Sequence, residues 1–118
     1  MRVLVLVKAS EDSESGRLPN RDELEEMGRF NEELVKAGVM LAGEGLKASA
    51  AGKRVRFAGK GQNTSVIDGP FAETKELVAG FWIWEVASMD EAVEWLRRAP
   101  FESTDVEIRP IFEAEDFE

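Results

Sequence analysis

Two stretches of this chain are apolar on both alternating faces. In residues 2–8, Val3, Val5 and Val7 share one side and Leu4 and Leu6 the other. In residues 77–86, Trp82, Trp84 and Val86 share one side and Phe81, Ile83 and Glu85 the other. A strand with two apolar faces must be covered on both, so these stretches predict central strands. Val39-Met40-Leu41-Ala42 predicts another strand, ending in Gly43-Glu44-Gly45-Leu46. Residues 105–111 alternate strictly, with Val106, Ile108 and Pro110 against Glu107 and Arg109; the proline suits a sheet edge.

Between these strands the apolar period changes to that of a helix. Asn20 caps a helix over 21–37, with Glu23 in capping-box position and Gly38 at the C′ position. Leu24, Met27, Phe30, Leu34 and Val35 are read as its buried stripe. Ser88-Met89-Asp90-Glu91 opens a second helix, with Met89, Ala92, Val93 and Leu96 buried and Pro100 as the stop. Residues 9–19 read as a polar loop whose Ser10, Glu11 and Asp12 are either a pocket lip or a solvated connection. Residues 53–58 and 63–67 predict a hairpin around Gly59-Lys60-Gly61-Gln62-Asn63.

This order predicts an α+β fold: a ferredoxin-like βαββαβ sheet with an inserted β-hairpin and both helices on one face. The domain covers 1–112, and an acidic tail over 113–118 is expected to be frayed. The sheet's second face needs a cover for its large apolar groups. A homodimer packing sheet to sheet, a dimeric α+β barrel, supplies one; the rival is a monomer whose hairpin folds over that face.

Composition narrows the chemistry. The 118 residues carry 15 basic and 24 acidic side chains, a formal charge of −9, which opposes binding to nucleic acid. The cluster Lys53, Arg54, Arg56 and Lys60 reads as the solvated face of the hairpin. Without cysteine or histidine there is no disulfide, thiolate nucleophile, Ser-His-Asp triad or imidazole ligand, and no metal or cofactor is expected. The opening apolar run is too short for a signal peptide, and no stretch has transmembrane length. The expectation is a cytoplasmic protein with no membrane partner.

The block Asp68-Gly69-Pro70-Phe71-Ala72-Glu73-Thr74-Lys75-Glu76, followed by Gly80-Phe81, closely resembles the DGPF branch of the YCII-related family. Supporting matches are the first strand, Phe30 to Leu34, Ala37-Gly38-Val39, Gly43 to Leu46, and Val106 to Pro110, so the likeness covers nearly the whole chain. The resemblance implies a dimeric ferredoxin-like α+β barrel in a small bacterial cytoplasmic protein. It also hints at a regulatory setting near extracytoplasmic-function sigma factors. Elsewhere in the wider family a His-Asp pair is proposed as catalytic and one branch resembles a dehydrochlorinase. This chain has no histidine, leaving Asp68 as the sole counterpart, and Trp82 stands where tyrosine is common.

Asp68 is the candidate catalytic group. An Asx-turn would use the N–H two residues on, which Pro70 lacks. Its carboxylate is then either a base or ligand anchor among Phe71, Phe81 and Trp82, or a cap on Phe71 and Ala72. Glu44, between two glycines, is either a placed carboxylate or an exposed charge. Glu73 and Lys75 are candidate ligand contacts that could equally pair with each other or with Arg29. Phe81 and Trp82, with Trp84, offer an aromatic wall or an interface. The expected function is homodimeric binding of a small molecule. The alternatives are a cofactor-free lyase or isomerase using Asp68 as acid or base, and a protein interaction module.

Overall fold

The computed structural model describes residues 1–60 and 63–118, apart from the Lys75 side chain. Gly61 and Gln62 of the expected turn lie outside the described residues. The strands are β1 (Arg2–Lys8), β2 (Met40–Gly45), β3 (Lys53–Phe57), β4 (Thr64–Asp68), β5 (Val78–Glu85) and β6 (Val106–Pro110). The helices are α1 (Glu11–Glu14), α2 (Arg21–Lys36) and α3 (Met89–Arg97), with short 3-10 turns at Ser49–Ala51, Thr74–Glu76 and Ala114–Phe117.

Four strands form one antiparallel sheet in the order β2-β5-β1-β6, the ferredoxin-like arrangement, and β3-β4 form a separate hairpin. The two doubly apolar strands are the central pair, and proline-bearing β6 is an edge. In register, Met40, Trp84, Val3 and Pro110 make one row across the helix-side face; Gly43, Trp82, Val5 and Ile108 make the next. Val3, Val5, Trp82, Trp84 and Val86 pack there with Phe30, Leu34, Val39 and Ala92. Phe30 meets Trp82 edge to face at 5.7 Å, and Trp82 lies 5.5 Å from Trp84.

Both N-caps form, but the reciprocal half of each expected capping box does not: the Glu23 carboxylate accepts from Arg17 and Glu91 Oε2 from the Ala87 N–H. Asn20 Oδ1 accepts from the Glu23 N–H, and Ser88 Oγ from the Glu91 N–H. Gly38 adopts φ 72°, the left-handed conformation that ends α2.

Three further expectations need correction. Residues 11–14 of the expected loop form a short helix with a Ser10–Ser13 capping box. Leu24 and Val35 are 59% and 60% exposed rather than buried. At about 100° per residue both lie about 80–100° around the helix from Leu34, whereas Met27 and Phe30 flank it closely. The segment after β6 is not frayed. Its 3-10 turn is tied back by Glu113, which accepts from the Arg2 guanidinium at 2.9 and 3.3 Å, and Asp116 caps the Glu113 N–H.

The hairpin does not cover the sheet in cis. Its described residues are exposed apart from half-buried Ile67. The radius of gyration is 16.5 Å, against about 13.5 Å for a compact chain of this length. Among the described residues, no helix is long and apolar enough to cross a membrane.

Candidate functional site

The helix-side face of the sheet changes character along its length. Rows carrying Trp84 and Trp82 are followed by a row in which Gly45 pairs with Gly80, and Gly80 with Val7. Side chains at i and i+2 share a face, so two tryptophans give way to two positions with no side chain. A cavity of about 260 Å³ opens there. It is lined by Val7, Met27 and Asn31 of α2, Gly43, Glu44, Gly45, Ala79, Gly80, Phe81, Trp82 and Phe101.

The cavity wall is held by close contacts. A Cβ on Gly43 would stand 2.5 Å from Trp82 Cδ1 and 2.9 Å from Met40 Cε, so the indole occupies the space a side chain would need. A Cβ on Gly80 would stand 3.1 Å from the Glu44 carbonyl oxygen. A Cβ on Gly45 would meet nothing within 4 Å. Phe101 packs edge to face on Trp82 at 6.0 Å.

One polar group is set into this wall. Trp82 Nε1 donates to Asn31 Oδ1 at 2.9 Å. An indole N–H only donates, so the Asn31 amide must present its oxygen to Trp82 and turn its NH2 the other way. Among the described residues that NH2 has no hydrogen-bond partner. The result is a half-buried amide donor held at the cavity wall.

Of the expected site residues, Trp82 faces this cavity with its side chain; Glu44 and Phe81, paired in register, border it along the strands while their side chains share the opposite face of the sheet. Asp68 is not among the cavity's lining residues. Its carboxylate is 74% exposed and ion-paired with Lys53 across the hairpin, rather than enclosed by Phe71, Phe81 and Trp82. Nor does it cap Phe71, whose N–H donates to Ser49 Oγ at 3.0 Å. Glu73 is exposed, in the left-handed conformation (φ 62°) that leads into the 3-10 turn. The Lys75 side chain lies outside the described residues.

Ser49 is the structural centre of the Asp68–Phe71 turn. Its N–H donates to Glu14 Oε2 at 2.8 Å and its hydroxyl to the other Glu14 oxygen. The Gly69-Pro70 peptide is cis, and Gly69 lies against the Ser49 carbonyl. These bonds hold the Glu14 carboxyl below its ordinary value, the Ser49 hydroxyl contributing most. A depressed carboxylate contributes stability above its unfolded value, and that contribution is lost as pH falls through the folded one. Melting temperature should therefore drop as the solution is acidified below the ordinary glutamate range. Glu14→Gln should flatten part of that drop, as read by thermal melts across acidic pH.

Asn31 and Phe101 were not singled out by the sequence reading. Asn31 was legible as the polar residue four after Met27 and three before Leu34, within an otherwise apolar stripe.

Residues 1–115 match the YCII-related domain. The chain belongs to the YCII-related family. It is similar to an uncharacterised protein of Rhizobium meliloti, at 45% identity over 51 residues, a match covering 41% of each chain. The matched part is thus less than half of that relative's length. Among solved structures it is similar to a 5-chloro-2-hydroxyhydroquinone dehydrochlorinase from Burkholderia phenoliruptrix, in complex with 2,5-dihydroxybenzoquinone. That likeness has 21% identity, 91% coverage of both chains and a TM-score of 0.46.

Proposed function

We propose that this chain, of the DGPF branch by its Asp68–Glu76 block, is a homodimeric small-molecule-binding protein. Its cavity beside Trp82 takes a neutral or cationic monocyclic ring bearing a hydrogen-bond acceptor. The observation that carries the reading is the Asn31 amide at the lining of this cavity, its oxygen held by the Trp82 N–H and its NH2 without a partner among the described residues. An apolar cavity of about 150 Å³ holds benzene, so 260 Å³ has room for one substituted ring. The chain's formal charge of −9 disfavours an anion. The acid–base reading on Asp68 draws no support from a cavity that Asp68 does not line. A binding role of this kind also suits a regulatory setting linked to sigma factors.

The homodimer rests on the second face of the sheet. Leu4, Leu6, Phe81 and Ile83 share that face, opposite the helices, and are half-buried with no layer over them among the described residues. A second copy applied there would cover them.

Phenol, catechol and the cationic phenol tyramine as probes, with benzoate as the excluded anion, test the cavity. Asn31→Asp keeps an acceptor for Trp82 and removes the NH2 donor. It should leave the fold intact and weaken phenol binding about tenfold, the worth of one hydrogen bond. Gly45→Leu should abolish binding by filling the cavity, since nothing obstructs a side chain there. Calorimetric titration reads both. Unchanged affinity in both variants would move binding elsewhere.

A further inference from the structure

Two exposed segments of opposite charge stand at opposite ends of the sheet. The hairpin over 53–68 carries Lys53, Arg54, Arg56 and Lys60 against the single acid Asp68. Its Val55, Phe57 and Val66 are exposed, Phe57 by 72%. In register, Val55 is paired with Val66 and Phe57 with Thr64, so the three apolar groups share one face of the ribbon. The segment after β6 carries Glu113, Glu115, Asp116 and Glu118 with no cation. Its Phe112 and Phe117 stack at 5.1 Å, yet both are more than 70% exposed.

These segments are attached at opposite ends of the sheet. The hairpin leaves the sheet where β2 ends and β5 begins, next to the last residues of β1, because Gly45 pairs with Gly80 and Lys8 with Val78. The acidic segment is fastened at the first residues of β1, through Arg2 and Glu113. Seven residues of β1 separate the two attachments by about 20 Å.

We propose that the basic hairpin of one copy docks on the acidic Phe112–Glu118 segment of a second copy, twice per dimer. The proposal deepens the homodimer reading above and rests on it. A twofold axis perpendicular to the strands places each hairpin beside the partner's acidic segment and closes both contacts at once. An axis along the strands would set hairpin against hairpin, four cations facing four, and is disfavoured by like-charge repulsion. Arg54 and Arg56 lie on the ribbon face opposite Val55, Phe57 and Val66, so the docking rests on charge complementarity.

The test uses two complementary charge reversals on exposed residues that hold none of the bonds described above. One variant is Arg56→Glu with Lys60→Glu; the other is Glu115→Lys with Glu118→Lys. Dimer dissociation constants are measured by sedimentation equilibrium. Each variant alone should dissociate at least about tenfold more readily than the wild type. An equimolar mixture should dissociate less readily than either variant alone, because the heterodimer keeps one wild-type contact and sets the two new acids against the two new lysines at the other. A wild-type chain that stays monomeric overturns the homodimer reading and the docking with it. A dimer insensitive to both variants overturns the docking alone. Weakened variants that do not rescue each other show that these segments are not partners.

Discussion

Replacing Trp84 by alanine should cost about 3–5 kcal/mol, the largest effect of any single substitution discussed here. Trp84 is fully buried on central strand β5 and packs on Trp82 and Phe30, whose ring centre lies 6.4 Å away. Small domains have only about 5–15 kcal/mol to lose, so the variant should sit close to its unfolding threshold at room temperature. Trp84→Phe should be much milder. Among the described residues the Trp84 Nε1–H is buried without a partner, and phenylalanine removes that unsatisfied donor while keeping an aromatic ring. Urea titration of the two variants separates the value of the volume from the penalty of the lone N–H.

The second large effect should come from Gly69→Ala. A Cβ at Gly69 would overlap the Ser49 carbonyl oxygen and crowd Ala50 Cα. Both are backbone atoms, so no rotamer change relieves the clash. The hairpin base would have to separate from the Ser49–Ala51 turn, losing the bonds Ser49 makes to Phe71 and the Gly69 N–H to the Gly52 carbonyl. Amide exchange at Gly69 and Phe71 should accelerate by about two orders of magnitude, corresponding to about 3 kcal/mol of local opening. The β1 and β5 amides should keep their protection, because the four-stranded sheet does not depend on this turn.

These two substitutions also show where the sequence was legible. Strands β1 and β5 could be placed at the centre because both their faces are apolar, a property that depends only on residue spacing. The caps at Asn20 and Ser88 and the left-handed Gly38 are local devices and were equally readable. The α2 stripe was misread in part, since Leu24 and Val35 are apolar but turned away from the face that Met27, Phe30 and Leu34 share. What an apolar residue packs against is a tertiary fact.

The same distinction explains the site. The Asp68–Phe71 turn drew attention because Pro70 leaves Asp68 without its usual N–H partner. Nothing local could show that Ser49, some twenty residues earlier, would bind Phe71 instead and that Lys53 would take the carboxylate. The cavity depends on Gly45 and Gly80 meeting across two strands and on Asn31 facing Trp82 from a helix. Each residue is ordinary in sequence, and only the register brings them together.

The most direct measurement is the 1H–15N spectrum of the three tryptophan indoles during a phenol titration. Trp82 donates to Asn31 at the cavity wall, Trp84 lies one row deeper, and Trp95 is on α3 beside Arg98. The expected result is a saturable shift largest at the Trp82 indole N–H, smaller at Trp84, absent at Trp95, and reduced in Asn31→Asp. No saturable indole shift, or a shift as large at Trp95 as at Trp82, would contradict the assignment of this cavity as the binding site.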